Sequence, residues 1–374
     1  MFAFMNRARS IFIARLPLLL IVPLLLAIPA SVSSAPTEKG DSVLGERIAK
    51  GVVLQGRLWL RGTMISRDDP TGGLISLGVA DESRQVHFNR GVVDIEKCGN
   101  ELWVLRSVSV KKRGLVVSVW RKGAFEDVAE FEAPSKDEPI ALLNSKGTPI
   151  VLSQRTIRIF SNDGASVRLI ELKGELRSGV QVSTAIPNGS GSVYVGFNSG
   201  EWGGGLQRVD LKTGAVTNVE RRDTKQLCEG PLNSDCDPVT GVIPDSRDGD
   251  CVLVSVGLVH MFTSEGRILR VCGEDVATIS EKSVTGGGDK RKMTEAFYGL
   301  VPTKEGGFWA ITYRALYRFG ADCKIEREYS LPALKSVSGV YLSRDLPGAI
   351  IVRTDVNWAV STSGYTPLVV PSED

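Results

Sequence analysis

Histidine is nearly absent from this chain, with only His87 and His260 among 374 residues. Any chemistry that needs an imidazole base or ligand is therefore confined to two positions. Neither is accompanied by a G-x-S-x-G nucleophile elbow, so a Ser-His-Asp hydrolase lacks its usual support. The six cysteines contain no C-x-x-C pair, which argues against a thiolate zinc site. An excess of charge of one sign is also missing: 45 Lys and Arg stand against 43 Asp and Glu. That balance gives no electrostatic reason to expect nucleic acid as a partner. The basic clusters Lys111-Lys112-Arg113 and Lys290-Arg291-Lys292 read as solvated loop charges. Helical periodicity is lacking after residue 44, and no low-complexity tract occurs, which excludes a helix bundle and a disordered or collagen-like chain.

One long apolar run is present. Leu16 to Ala30 follows the basic residues Arg7, Arg9 and Arg15 and precedes the small residues Ser31-Val-Ser-Ser-Ala35. This is the pattern of an export signal over residues 1–35, with cleavage after Ser34 or Ala35. The alternative is a retained anchor, but the run is shorter than the roughly 20 apolar residues of a span and is broken by Pro17, Pro23 and Pro29. The expectation is a secreted or periplasmic protein with no stable membrane span after cleavage. Removing the segment deletes three positive charges and no acidic ones, taking the formal charge from +2 to −1.

Export brings Cys98, Cys228, Cys236, Cys251, Cys272 and Cys323 into an oxidising compartment. Sequence cannot choose among their pairings. The one pair favoured locally is Cys228 with Cys236, because the intervening Glu-Gly-Pro-Leu-Asn-Ser-Asp is compact and turn-prone.

Beyond residue 44 the chain is a succession of short apolar or alternating runs separated by turn residues. A dense apolar strand recurs as Leu58-Trp-Leu60, Leu102-Trp-Val104, Ile150-Val-Leu152, Val193-Tyr-Val195, Val252-Leu-Val254, Phe308-Trp-Ala310 and Ile350-Ile-Val352. Successive copies lie 42 to 59 residues apart. After each comes a hairpin with a polar, usually glycine-bearing turn, such as Leu206 to Val216 with Gly214 and Val259 to Ile268 with Gly266. A repeat of this length holding four strands is the signature of a propeller blade, in which the dense strand is buried on both faces and the outer hairpin alternates. The reading is all-β: a β-propeller of seven four-stranded blades over residues 44–370, with 36–43 as linker and 371–374 as tail. Six or eight blades are the alternatives, and a β-sandwich or a pair of smaller β-domains is the competing architecture.

The chain resembles a bacterial extracytoplasmic β-propeller over roughly residues 44–370. Asp210-Leu-Lys-Thr-Gly214 is similar to the D-x-x-T-G turn of quinoprotein-like and YVTN-type propellers. No G-H…W-D pair marks WD40 blades, and the repeated Trp and adjacent cysteines of pyrroloquinoline quinone enzymes are absent, so that cofactor is not implied. The resemblance implies that loops from second to third strand, and from one blade to the next, share one face. The enlarged loops fall on those two types: Arg61 to Gly73, Asn198 to Gly205, Arg221 to Pro238 and Gly273 to Met293. The expected recognition face is therefore built mainly by blades four to six.

Within it, Asn198, Glu201 and Trp202 are the candidate binding residues. Trp202 stands among glycines, with few local neighbours to bury it, and an exposed indole can stack on a sugar or anchor a protein. The alternative is an indole folded back over the blade. Trp59, Trp103 and Trp309 lie in dense strands and belong to the core. Gly203-Gly-Gly205 precedes a strand and lacks the P-loop pattern, so it is not a phosphate loop. Asn233, Asp235 and Asp237 alternate as calcium ligands do, although Pro238 replaces the glycine of an EF-hand turn; Asp245, Asp248 and Asp250 follow. Two functions from different classes result. One is a binding platform for protein or glycan that needs no cofactor. The other is a Ca²⁺-dependent hydrolase or lyase with its site in the central channel.

Overall fold

A computed structural model describes residues 47–63, 71–78, 83–109, 114–134, 136–161, 163–177, 181–187, 191–222, 228–260, 263–284, 293–331, 340–343, 349–354 and 368–371. The export signal, the linker and the basic clusters at 111–113 and 290–292 lie outside these residues, as do 64–70 of the first enlarged loop and 372–374 of the tail. All the described residues fall within the unit Asp41–Asp374. They contain β-strands and one 3₁₀ turn, with no α-helix among them.

The strands follow one another as antiparallel meanders. The first comprises β1 (Arg47–Leu54), β2 (Arg57–Thr63), β3 (Gly72–Gly78) and the start of β4 (Arg84–Cys98). β4 runs on without a break to become the first strand of the second meander, with β5 (Glu101–Ser109), β6 (Gly114–Arg121) and β7 (Ala124–Glu132). The third holds β8 (Pro139–Ser145), β9 (Thr148–Ser153), β10 (Thr156–Phe160) and β11 (Val167–Glu171). The fourth holds β12 (Gln181–Ala185), β13 (Ser192–Asn198), β14 (Gly204–Asp210) and β15 (Val216–Val219). The fifth holds β16 (Val239–Pro244), β17 (Cys251–His260), β18 (Thr263–Cys272) and β19 (Asp275–Ser280). A two-stranded ribbon, β20 (Ser283–Val284) and β21 (Met293–Thr294), precedes the sixth, which has β22 (Leu300–Pro302), β23 (Phe308–Ile311), β24 (Ala315–Phe319) and β25 (Ile325–Ser330). A last sheet carries β26 (Val340–Ser343), β27 (Ala349–Thr354) and β28 (Leu368–Pro371), and β26 lies against β1.

Each dense apolar run is the second strand of its sheet, and alternate residues explain why it is apolar throughout. On β5, Leu102 and Val104 pack toward Trp59 and Leu74 of the first sheet, while Trp103 and Leu105 pack toward Leu142 and Val151 of the third. On β13, Val193, Val195 and Phe197 meet Ile150 and Leu152, while Tyr194 faces Val252 and Val254. On β17, Leu253 turns toward Phe308 and Tyr317. The core is thus a series of layers, each between two consecutive sheets, so no sheet buries its apolar faces alone. Each fully buried Leu, Val or Phe in these layers contributes about 1.5–3 kcal/mol. The outermost strands β11 and β25 are mostly exposed. Polar side chains also tie neighbouring first strands: Leu142 N donates to Asp94 Oδ2 at 2.7 Å, and Val242 N to Ser183 Oγ at 2.8 Å. Together these features make a β-propeller.

The fifth sheet departs from the sequence expectation. Val259 to Ile268 is not the outer hairpin there but the tip of β17 and β18, both 10 residues long. The outer hairpin turns at Gly273-Glu274, where Gly273 has φ +66°, so β19 occupies the start of the segment expected to be a long loop to Met293. Gly266 sits inside β18; a Cβ there would lie 2.1 Å from Glu295 O, so glycine permits close backbone approach rather than a turn.

His87 on β4 shows how the aromatic core sets a protonation state. Its ring stacks on Trp59 with centroids 4.6 Å apart, meets Trp120 and Phe125 edge-on, and places Nε2 2.8 Å from Ser76 Oγ. Burial, reinforced by the Arg57 charge, lowers its pKa to about 4. The folded-state value lies below the unfolded one of about 6.5, so the stability contributed by neutral His87 is complete above that pH. It declines as pH falls from about 6.5 to about 4. An NMR titration of the imidazole should find this low midpoint, and a midpoint near 6.5 would contradict the burial described here.

Candidate functional site

In an antiparallel meander, the second-to-third connection and the exit to the next sheet leave from the same end. Around the fourth sheet, such ends of the third, fourth and fifth sheets touch one another. There β13 leads into a single 3₁₀ turn, Gly200–Trp202, and Ser199 N donates to Gly203 O to close it. Asn198 Oδ1 accepts from Gly200 N at 2.9 Å and organises the turn. Glu201 reaches the tip of the fifth sheet, with Oε2 2.8 Å from His260 Nδ1. Trp202 is 78% exposed.

The three glycines that follow are required by what lies beneath them. Gly203, Gly204 and Gly205 have φ of +73°, +138° and +76°. A Cβ on Gly203 would lie 2.5 Å from the Asp235 carbonyl carbon, on Gly204 2.0 Å from Phe197 O, and on Gly205 2.4 Å from Ser234 Cβ. The turn therefore lies directly on the connection from fourth to fifth sheet. Gly204 N donates to Ser234 O at 3.0 Å and Gly205 N to Asp237 O at 2.9 Å. That connection is closed by a disulfide between Cys228 and Cys236, whose Cα atoms are 5.3 Å apart.

Asn233, Asp235 and Asp237 sit together in this connection, but their oxygens engage the protein. Asn233 Oδ1 accepts from Asp235 N at 3.0 Å, and Asp235 Oδ2 pairs with Arg222 at 3.0 Å. Asp237 Oδ2 accepts from Asn233 N at 2.7 Å and pairs with Arg267 at 2.6 Å. The Asp237 carboxyl is buried, and burial raises its pKa against the opposing pull of Arg267. The turn is thus braced by two guanidinium groups. Asp245 and Asp248 are likewise held by Arg247 and Arg270. Among the described residues one set of three His, Cys, Asp or Glu side chains converges, Asp248 with Cys251 and Cys272, and these two cysteines form a second disulfide.

Beside Trp202 the face opens into a groove of about 590 Å³. Its walls are Gln154 from the third sheet, Glu175, Leu176 and Arg177 from the exit of that sheet, Ser199, Trp202 and Gly204 from the glycine turn, and Ser234 and Asp235 from the disulfide loop. The groove therefore lies between the third and fourth sheets, whereas the loop lengths suggest a face built by the fourth to sixth. Arg177 braces it: Nη1 donates to Gly204 O at 2.9 Å and Ser234 O at 3.1 Å, and Nη2 to Ser234 Oγ at 3.0 Å. Glu175 pairs with Arg155 at 3.3 Å. Glu175 and Arg177 carry no spacing signal in the sequence; only knowledge that the exit of the third sheet abuts the glycine turn would select them.

No protein-family model matches the chain, and no curated protein matches it. Solved structures do. An extracellular domain assigned to a one-component system of B. thetaiotaomicron aligns over 87% of this chain at TM-score 0.51 and 14% identity. PorZ, a surface component of the type-IX secretion system of Porphyromonas gingivalis, aligns over 85% at TM-score 0.53 and 14% identity. The GH74 xyloglucanase of Xanthomonas campestris aligns over 83% at TM-score 0.50 and 14% identity. The chain spans 38%, 46% and 52% of those three chains respectively. At such identity the likeness is one of fold.

Proposed function

We propose that this chain is an exported, seven-bladed β-propeller that serves as a binding platform, with its ligand held on the face that carries Trp202 and the adjoining groove. The observation that carries this reading is an indole left 78% exposed on a turn that is otherwise tightly fastened. A large aromatic side chain usually buries most of its surface, and one displayed on a rigid scaffold is a low-entropy anchor for a partner. Two disulfides suit an oxidising compartment. No helix among the described residues is long and apolar enough to cross a membrane. The similar structures include an extracellular domain, a bacterial surface component and a xyloglucanase, and the ligand class proposed is accordingly protein or glycan.

The test is selection against the folded protein with a displayed peptide library and, separately, a panel of soluble oligosaccharides. Trp202→Ala should lower affinity for whatever binds by about 30-fold, the effect of losing roughly 2 kcal/mol at a central aromatic contact. Because the ring is exposed, the same substitution should leave stability within about 0.5 kcal/mol. Lys212→Ala, in the β14–β15 turn at the opposite end of the sheet, should leave binding unchanged. Ligands that tolerate Trp202→Ala and lose affinity with Lys212→Ala would overturn the assignment of the face.

A further inference from the structure

Resting on that reading, we infer that the groove beside Trp202 takes a neutral pyranose unit of a glycan chain, with the sugar stacked on the indole. A protein partner anchors best in a dry, apolar pocket whose centre is sealed from water. This groove is open and mainly polar: apart from Trp202 and Leu176, its walls are carboxylates, a guanidinium, an amide, hydroxyls and glycine backbone. A pyranose has the matching character. Its axial C–H groups form an apolar face suited to an aromatic ring, and its rim of hydroxyls needs both acceptors and donors. Glu175 and Asp235 supply acceptors. Each is paired with one guanidinium, Arg155 at 3.3 Å and Arg222 at 3.0 Å, and such a pair does not exhaust the roughly four lone-pair positions of a carboxylate. Gln154 supplies an amide, and Ser199 a hydroxyl.

Charge selects among sugars. The guanidinium groups around the groove already have partners: Arg155 with Glu175, Arg222 with Asp235 and Glu220, and Arg177 with Gly204 and Ser234. An acidic sugar would therefore have to displace an existing pair and would face two carboxylates, whereas an uncharged one meets no such opposition. The platform is also set before any ligand arrives. Glycine contacts too close for a Cβ, the Cys228–Cys236 disulfide and the Glu201–His260 pair fix the turn on three sides, so little ordering entropy is lost on binding.

The experiment is calorimetric titration of the whole protein with soluble oligosaccharides of β-1,4-linked glucose, mannose, xylose and N-acetylglucosamine, beside oligogalacturonate as the anionic arm. At least one neutral probe should bind with measurable heat. Trp202→Ala should weaken that binding about 30-fold, Trp202→Phe should weaken it less, and Glu175→Gln or Asp235→Asn should weaken it about 5- to 10-fold, as expected when a charged acceptor becomes a neutral one. Oligogalacturonate binding more tightly than every neutral probe would overturn the neutral class. If no saccharide binds while selected peptides bind and depend on Trp202, the sugar inference falls and the platform reading stands. If neither class binds in a Trp202-dependent way, both fall together.

Discussion

Gly204→Ala is expected to destabilise the protein by about 2–6 kcal/mol. Two costs combine. With φ +138°, Gly204 has a backbone conformation open essentially to glycine alone, and forcing a Cβ there costs on the order of 1–3 kcal/mol. The new methyl group would also lie 2.0 Å from Phe197 O and 2.5 Å from its carbonyl carbon, both main-chain atoms of the neighbouring strand that cannot rotate aside. Overpacking of this kind adds about 1–3 kcal/mol. Denaturant unfolding at neutral pH measures the sum through the midpoint. Gly200→Ala is the control. It shares a positive φ of +63° but meets nothing within 4 Å, so it should cost only about 1–2 kcal/mol. Equal losses for the two substitutions would show that backbone conformation alone, and not the seating of the turn on β13, accounts for the glycine run.

Arg267→Met is expected to cost about 3–5 kcal/mol, the range for removing one partner of a buried ion pair. The guanidinium is largely buried, donates to Asp237 Oδ2 at 2.6 Å and to Pro231 O at 2.8 Å, and opposes the burial that raises the Asp237 pKa. Methionine fills similar volume but leaves the carboxylate without its counter-charge. The sign of the pH dependence follows. An acid whose folded pKa is raised favours the folded state most when protonated, and that advantage is lost as pH rises through the folded value. In the variant the pKa rises further, so the deficit relative to wild type should be largest at neutral pH and shrink on acidification. Paired unfolding curves across that range measure it. A deficit independent of pH would mean that lost packing, not an isolated charge, is responsible.

Much of the architecture was legible because burial on both faces leaves a plain mark. All seven dense runs are second strands, and Trp59, Trp103 and Trp309 are each about 1% exposed. The fifth sheet was misread at a single residue. Taking Gly266 for a turn split β18 and shifted the outer hairpin, and it also concealed the second disulfide. Once β17 and β18 are seen as two long strands paired from Cys251 with Cys272 to His260 with Thr263, the two cysteines stand directly opposite one another. Gly266 carries no local sign of its purpose, because the backbone it admits, Glu295 and Ala296, arrives from a later connection. The site was legible only in part for the same reason. An exposed Trp202 was one of the two readings its glycine neighbours allowed, whereas Arg177, Glu175 and His260 matter through partners 20 or more residues away: Gly204 and Ser234 for Arg177, Arg155 for Glu175 and Glu201 for His260. The oxygens of Asn233, Asp235 and Asp237 were legible as a cluster, but Arg222 and Arg267, which engage them, were not.

The unbroken passage of β4 from the first sheet to the second has a mechanical consequence. Hydrogen bonds to β3 at one end and to β5 at the other join seven strands through one continuous ribbon, with only a bend at Gly91 between them. Neither half of that ribbon can peel away without tugging on the other, so amides of both sheets should exchange with deuterium as a single cooperative block. The later junctions between sheets, and the contact of β26 with β1, are crossed by no shared strand, so those sheets should exchange independently of that block.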